Sequence, residues 1–201
     1  MELIFDAKIL DNTLKQIGYD AKKMPLGKLS EEIINEGYDI LNKISNVISK
    51  KAKGDLKRLS SDFYSCIPHD FGRKHMSNFI INTEKEVQAK VEVLDTLKNM
   101  SIASKIMQRG KKADVNPLDA NYKELDTDIN PLDTSSDRFK LLKQYFENTS
   151  KSNWSNYNLK EIFEISRKGE EERFNKGKGK LKNHMLLWHG SRVSNFGGIL
   201  R

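Results

Sequence analysis

The run from Thr83 to Arg109 constrains this chain more than any other, because it is long, opens on a start signal and is apolar around much of its circumference. TEKE predicts a capping box, in which the Thr83 hydroxyl and the Glu86 carboxylate satisfy free amides reciprocally. Val87, Val91, Leu94, Leu97, Met100, Ile102, Ile106 and Met107 then supply a face too wide for a helix lying on a surface. Such a helix has to be surrounded by others, so the first half of the chain reads as a bundle.

The neighbouring runs supply those partners. Ala7 to Ile17 puts Ile9, Leu10, Leu14 and Ile17 on one side and ends near Gly18. KKMPLGKLS is a connector, since Pro25 disfavours helix at Met24 and Gly27 permits a turn. Ser30 is the expected cap of the next helix, with Glu31 and Glu32 well placed against its dipole. Its core face is Ile33, Ile34, Tyr38, Leu41, Ile44 and Ile48. Leu56 to Ile67 reads as a shorter helix closed by Pro68.

After Gly110, Asn116 and Pro117 fit a cap and first helical position, with a short helix running to about Leu125. Then the periodicity changes. DTDINPLD reads as extended, Asp137 to Asn148 as a helix, and LKEIFEIS alternates Leu159, Ile162 or Phe163 and Ile165 as a strand does. KGKGKLK, Lys176 to Lys182, reads as a solvated loop, HMLLWHG as a buried strand, and Ser194 or Asn195 as the cap of a further helix. The expected fold is mainly α, a helical bundle followed by an α+β unit, divided as residues 1–121 and 122–201.

Composition narrows the function classes. With 37% hydrophobic and 31% charged residues, the chain can bury a core. Its longest apolar runs, such as MLLW, fall far short of the roughly 20 residues a membrane helix needs, and MELIFDAKIL carries no secretory pattern. No membrane partner is expected. Cys66, the only cysteine, excludes an internal disulfide and reads as a small buried apolar residue. His69 and His75 read as loop residues without metal-ligand spacing, His184 as exposed, and no metal site is expected. GKGK at Gly177 to Lys180 lacks the phosphate-loop pattern, and Trp154 and Trp188 read as packing residues. The net charge of +7 raises a non-catalytic, basic, helical nucleic-acid-binding or interaction module as the alternative reading. Against it, lysines alternate with acids over most of the chain, and the basic run has no aromatic platform beside it.

The stretch LLWHGSRVSNFGGIL, Leu186 to Leu200, carries the chemistry. A strand there would deliver His189 and Gly190 to its carboxyl end just before a helix begins. Gly190 would leave main chain bare, offering a donor and an acceptor to a planar amide, beside an imidazole usable in either role.

LLWHGSR followed by NFGGIL resembles the signature of the poly(ADP-ribose) polymerases, and KKMPLGKLS, FYSCIPHDFG, VQAKVEVLDTL, NYKELDTDI and LKEIFEIS resemble family segments in the family's order. The likeness covers essentially the whole chain and is closest to the DNA-dependent members. It implies a helical regulatory domain over 1–121, which restrains cofactor entry, and the N-terminal part of an ADP-ribosyltransferase catalytic domain over 122–201. It implies NAD+ as substrate, protein acceptors, DNA breaks sensed through upstream domains, and a nuclear location. By the same resemblance His189 bonds an NAD+ ribose hydroxyl, the Gly190 main chain grips the nicotinamide carboxamide, Ser191 lines the pocket and Gly198 lies beside the adenosine end. Arg192 is expected to be structural, and Arg201 does not match the family's adenosine-side arginine. The family's stacking tyrosine and catalytic glutamate match no residue here, so no catalytic residue is expected within this chain, and the chain alone is expected to be inactive.

Overall fold

The computed structural model describes residues 1–112, 114–150, 157–178, 181 and 183–201. They form two units, one of Met1–Leu125 with Trp188–Arg201 and one of Asp126–Leu187.

The first unit is helical. It comprises α1 (Ala7–Gln16), α2 (Glu31–Ile48), α3 (Leu56–Cys66), α4 (Glu84–Gly110), α5 (Pro117–Leu125) and, at its far end, α8 (Phe196–Leu200). Each long helix starts where a side chain can take up free amides. The Asp6 carboxylate caps α1, the Ser30 hydroxyl accepts from the Ile33 amide, Asp55 caps α3, and Thr83 with Glu86 forms the full capping box of α4. Asn116 Oδ1 accepts from the Leu118 amide at 2.9 Å at the head of α5. Gly18 stops α1 in the left-handed region, φ 72°, where a side chain would be strained.

α4 is the axle of this unit. Leu94, Leu97, Met100, Ala103 and Ile106 are all essentially inaccessible, as expected of a helix enclosed on several sides. Leu10 and Leu14 of α1, Ile34, Leu41 and Ile44 of α2, and Phe63 with Ile67 at the end of α3 complete the core around it. Gly37 is the close approach of α2, since a Cβ there would stand 3.1 Å from Leu94 Cδ2. Cys66 is half-buried, its thiol hydrogen-bonded to the Ile33 carbonyl at 3.2 Å and pushed up to about 11, chiefly by burial.

His69 is in a loop, yet it is buried, among Phe63, Tyr64 and Phe71. Its Nδ1 pairs with the Ile67 carbonyl at 2.8 Å, a contact that requires the proton on Nδ1. Burial, and secondarily the Lys90 charge, hold its pKa down to about 4, so the ring is neutral and packed.

In the second unit β1 (Thr127–Pro131) pairs antiparallel with β2 (Phe163–Arg167), Ile129 opposite Ile165, with α6 (Asp137–Thr149) between them in sequence and α7 (Glu170–Lys178) after them. Arg138 and Glu164 form an ion pair at 2.6 Å, and Arg167 pairs with Glu170. Thr127 is buried, while Leu141, Phe163, Ile165 and Phe174 are exposed. Among the described residues no hydrophobic side chain of this unit is buried, and a two-stranded ladder is only marginally stable by itself.

Three expectations need correction. HMLLWHG is not a buried strand: the described sheet has only β1 and β2, so residues 183–190 lack a ladder partner among the described residues, and their apolar side chains are exposed. A strand gains its stability from ladder pairing and one covered face, and among the described residues this run has no ladder partner and its apolar side chains are exposed. Trp188, expected to pack, is accordingly 54% exposed. The basic run does not begin as a loop, because Lys176 to Lys178 continue α7, favoured by Glu170, Glu171 and Glu172 in its first turn and a 2.7 Å pair of Lys176 with Glu172. The rest of that run at 179, 180 and 182, and Trp154, lie outside the described residues.

Candidate functional site

The turn after Trp188 is held by glycines. A Cβ on Gly197 would stand 2.7 Å from Ala103 Cβ, and one on Gly198 would stand 2.5 Å from Asn99 Cα. Only hydrogen fits at either place, so α8 seats directly on the backbone of α4. The segment ahead of it is tied at a second point, where Arg192 Nη1 donates to Gln16 Oε1 of α1 at 2.7 Å.

Between these anchors His189, Gly190, Ser191 and Arg192 face the outer side of α4 across a cleft of ≈ 560 Å³, within the range typical of small-molecule sites. The α4 wall is Glu92, Asp95, Thr96, Lys98 and Asn99, and Asn195 and Ile199 close the end. The walls are polar, with two acids opposite two basic or neutral nitrogen-bearing side chains. Asp95 is oriented by the Tyr38 hydroxyl, which donates to its Oδ1; burial and that carboxylate push the Tyr38 pKa well above its ordinary value. Ser191 Oγ accepts from Asn195 Nδ2 at 3.2 Å.

Gly190 has nothing within 4 Å of where a side chain would begin, so its bare main chain faces open space. His189 is exposed beside it. Three of the four expected site residues, His189, Gly190 and Ser191, therefore line one cleft. The fourth, Gly198, is pressed against Asn99, which is itself a lining residue. Arg201 is occupied elsewhere, its Nη1 donating to the Glu124 carbonyl at 2.9 Å while Glu124 also pairs with Arg109 at 3.0 Å.

Sequence reasoning missed the α4 wall. The signal was available: Glu92, Asp95, Thr96 and Asn99 fall at i, i+3, i+4 and i+7, one polar stripe along the helix. Among the described residues no group of three or more His, Cys, Asp or Glu could hold a metal, and no helix is long and apolar enough to cross a membrane.

Fold and site thus define a helical bundle whose longest helix walls a polar cleft opposite a His-Gly-Ser turn. Residues 1–122 match the regulatory domain of poly(ADP-ribose) polymerase, and residues 136–201 match the poly(ADP-ribose) polymerase catalytic domain. The chain belongs to the poly(ADP-ribose) polymerase family. It is 42% identical to poly [ADP-ribose] polymerase 2 of Zea mays, 40% to poly [ADP-ribose] polymerase 1 of Gallus gallus and 37% to poly [ADP-ribose] polymerase 2 of Homo sapiens, in each case over 100% of this chain. It spans 31%, 20% and 34% of those relatives, respectively.

Proposed function

We propose that this chain is the regulatory domain and the first wall of the substrate site of an NAD+-dependent ADP-ribosyltransferase, which moves ADP-ribose from NAD+ to protein acceptors. Residues 1–121 are the regulatory domain and 122–201 the start of the catalytic domain. In this reading His189 bonds a ribose hydroxyl, Gly190 receives the carboxamide on its bare amide and carbonyl, Ser191 lines the same pocket, and Gly198 lies beside the adenosine end. Activation by DNA breaks through other domains, and a nuclear location, complete the proposal.

The observation that carries it is the shared cleft: the residues proposed to grip NAD+ lie opposite a polar stripe of the bundle's own central helix. With α4 in that position, Asn99 occupies the space at Gly198 that a nucleotide would approach. Cofactor and bundle compete for the same surface, which is a steric route to autoinhibition, and opening becomes a population shift biased by whatever pulls α4 away.

By the resemblance, none of this chain's carboxylates stands where the family has its catalytic glutamate, the group that stabilises the positive charge developing as the nicotinamide–ribose bond breaks. The 201 residues alone are therefore inactive. The test joins them to the following catalytic sequence and measures incorporation of radiolabelled NAD+, with and without residues 1–121. The expected result is no incorporation by the 201-residue chain, incorporation by the longer protein, and a higher basal rate when the bundle is removed. An unchanged basal rate would leave the bundle a scaffold, and labelling by the short chain above a heat-killed control would overturn the division of labour.

A further inference from the structure

In the turn between α2 and α3 and the first turn of α3 that follows it, Lys50, Lys51, Lys53, Lys57 and Arg58 are all exposed. None of the five is ion-paired among the described residues. We propose that this turn binds the phosphate backbone of a nucleic acid. The proposal is independent of the NAD+ cleft.

Local structure does not account for these cations. Lys50 has φ 58°, the left-handed position after a helix where glycine is usual. Lys57 and Arg58 stand in the first turn of α3, which contains no acid, and positive charge there opposes the helix dipole. Where side chains break local rules without a gain to the fold, a partner outside the fold is the natural beneficiary. The one acid in the stretch, Asp55, is engaged as the α3 cap, accepting from the Lys57 and Arg58 amides at 2.9 and 3.3 Å. Glu84 of α4 is engaged away from these cations, accepting from the Ser45 hydroxyl at 3.0 Å.

The turn is also held in shape. The Lys51 and Ala52 amides both donate to the Asn46 carbonyl, at 2.9 and 3.1 Å, and a Cβ on Gly54 would stand 2.6 Å from Val47 Cγ2. The charges are therefore presented on a fixed frame.

Composition chooses the partner. From Lys50 to Asp55 no exposed side chain is more apolar than Ala52, so the turn lacks the aromatic or aliphatic anchor on which a protein interface centres. It has no ring on which a base could stack. What remains is a set of cations matched to closely spaced phosphates, which binds without regard to sequence and weakens steeply with salt.

The test uses the 201-residue chain and a fluorescein-labelled DNA duplex of arbitrary sequence, read by anisotropy from about 50 to 200 mM salt. Lys53→Glu/Lys57→Glu should weaken binding about tenfold or more and lower the slope of log K against log salt by about 2. Lys111→Glu/Lys112→Glu makes the same change of net charge at the end of α4 and should cost less than about threefold. Circular dichroism checks that both variants keep their helices. Equal losses in the two variants would mean that net charge alone is at work, and no loss in either would remove the turn from the interface. Polyglutamate bound as tightly as the duplex would point to an acidic protein instead. Any of these three results overturns the proposal.

Discussion

Gly198 of α8 lies so close to α4 that a Cβ on it would stand 2.5 Å from the Asn99 Cα, a backbone atom that cannot swing aside. Gly190, eight positions earlier by number, has nothing within 4 Å of the same point. Two glycines of one signature therefore serve opposite ends, one to let helices touch and the other to leave main chain open.

Gly198→Ala should destabilise the seat of α8 by about 1–3 kcal/mol, the usual cost of overpacking. Hydrogen exchange at Ile199 and Leu200 and denaturant unfolding of the whole chain would read it. Unaltered protection of α8 in the alanine variant would show that α4 gives way more easily than its backbone position implies.

Gly190→Leu should behave in the reverse sense. Its stability should match the unsubstituted chain, because a Cβ there meets no protein atom within 4 Å, while NAD+ use in the longer protein should be nearly abolished, because the side chain fills the space the carboxamide needs. His189→Ala removes one hydrogen bond worth about 0.5–1.5 kcal/mol, a loss of roughly two- to tenfold at subsaturating NAD+. Normal turnover in both variants would move the substrate away from this turn.

Ser60 bridges two elements from a fully buried position, its hydroxyl donating to the Leu56 carbonyl at 2.6 Å and accepting from the Ile81 amide at 2.9 Å. Ser60→Ala leaves the buried Ile81 amide without that acceptor and should cost about 1–3 kcal/mol. Ser65→Ala, which loses a similar bond on the exposed side of α3, should be close to neutral. Urea unfolding of the pair measures the contrast, and similar midpoints would refute the bridge.

His69 makes stability fall with acid. Its folded pKa is lowered to about 4, so as pH drops from 7 to 5 the unfolded chain takes up a proton that the folded ring refuses. The ordinary histidine pKa of about 6.5 puts that loss at about 2 kcal/mol over the interval, before most carboxylates titrate. His69→Phe should flatten the slope of stability against pH there, whatever it does to the absolute level. Parallel slopes would place the titration on another group.

Much of the bundle was legible in the sequence because its signals are local. Thr83 with Glu86, Ser30, and Asn116 with Pro117 each mark a helix start by chemistry that lies within four residues. The strand-like reading of Met185 to Trp188 failed because a short apolar run states only that it is to be covered, and pairing depends on a partner remote in sequence. α7 was hidden by Gly177, whose helix-breaking tendency outweighs in any local reading the acidic first turn that favours the helix. Of the cleft, the His-Gly-Ser turn was visible and the α4 wall was not. Its polar stripe looks like solvent-facing helix until α8 is seen to seat beside it.

That seat also limits how independent the bundle can be. A chain ending at Leu125 keeps every helix from α1 to α5 and the core from Leu10 to Met100, so it should fold cooperatively with a helical circular dichroism spectrum. It lacks α8, however, and Ala103, fully buried beside Gly197, loses that cover. The apolar surface exposed there weakens the C-terminal turns of α4 without touching the half packed against α2, where Gly37 meets Leu94. Hydrogen exchange should therefore show protection intact from Val87 to about Leu97 and reduced from about Ala103 onward, relative to the 201-residue chain. A random-coil spectrum would mean that α8 is part of the folding unit itself, and uniform protection along α4 would mean that its seat contributes nothing to the helix it covers.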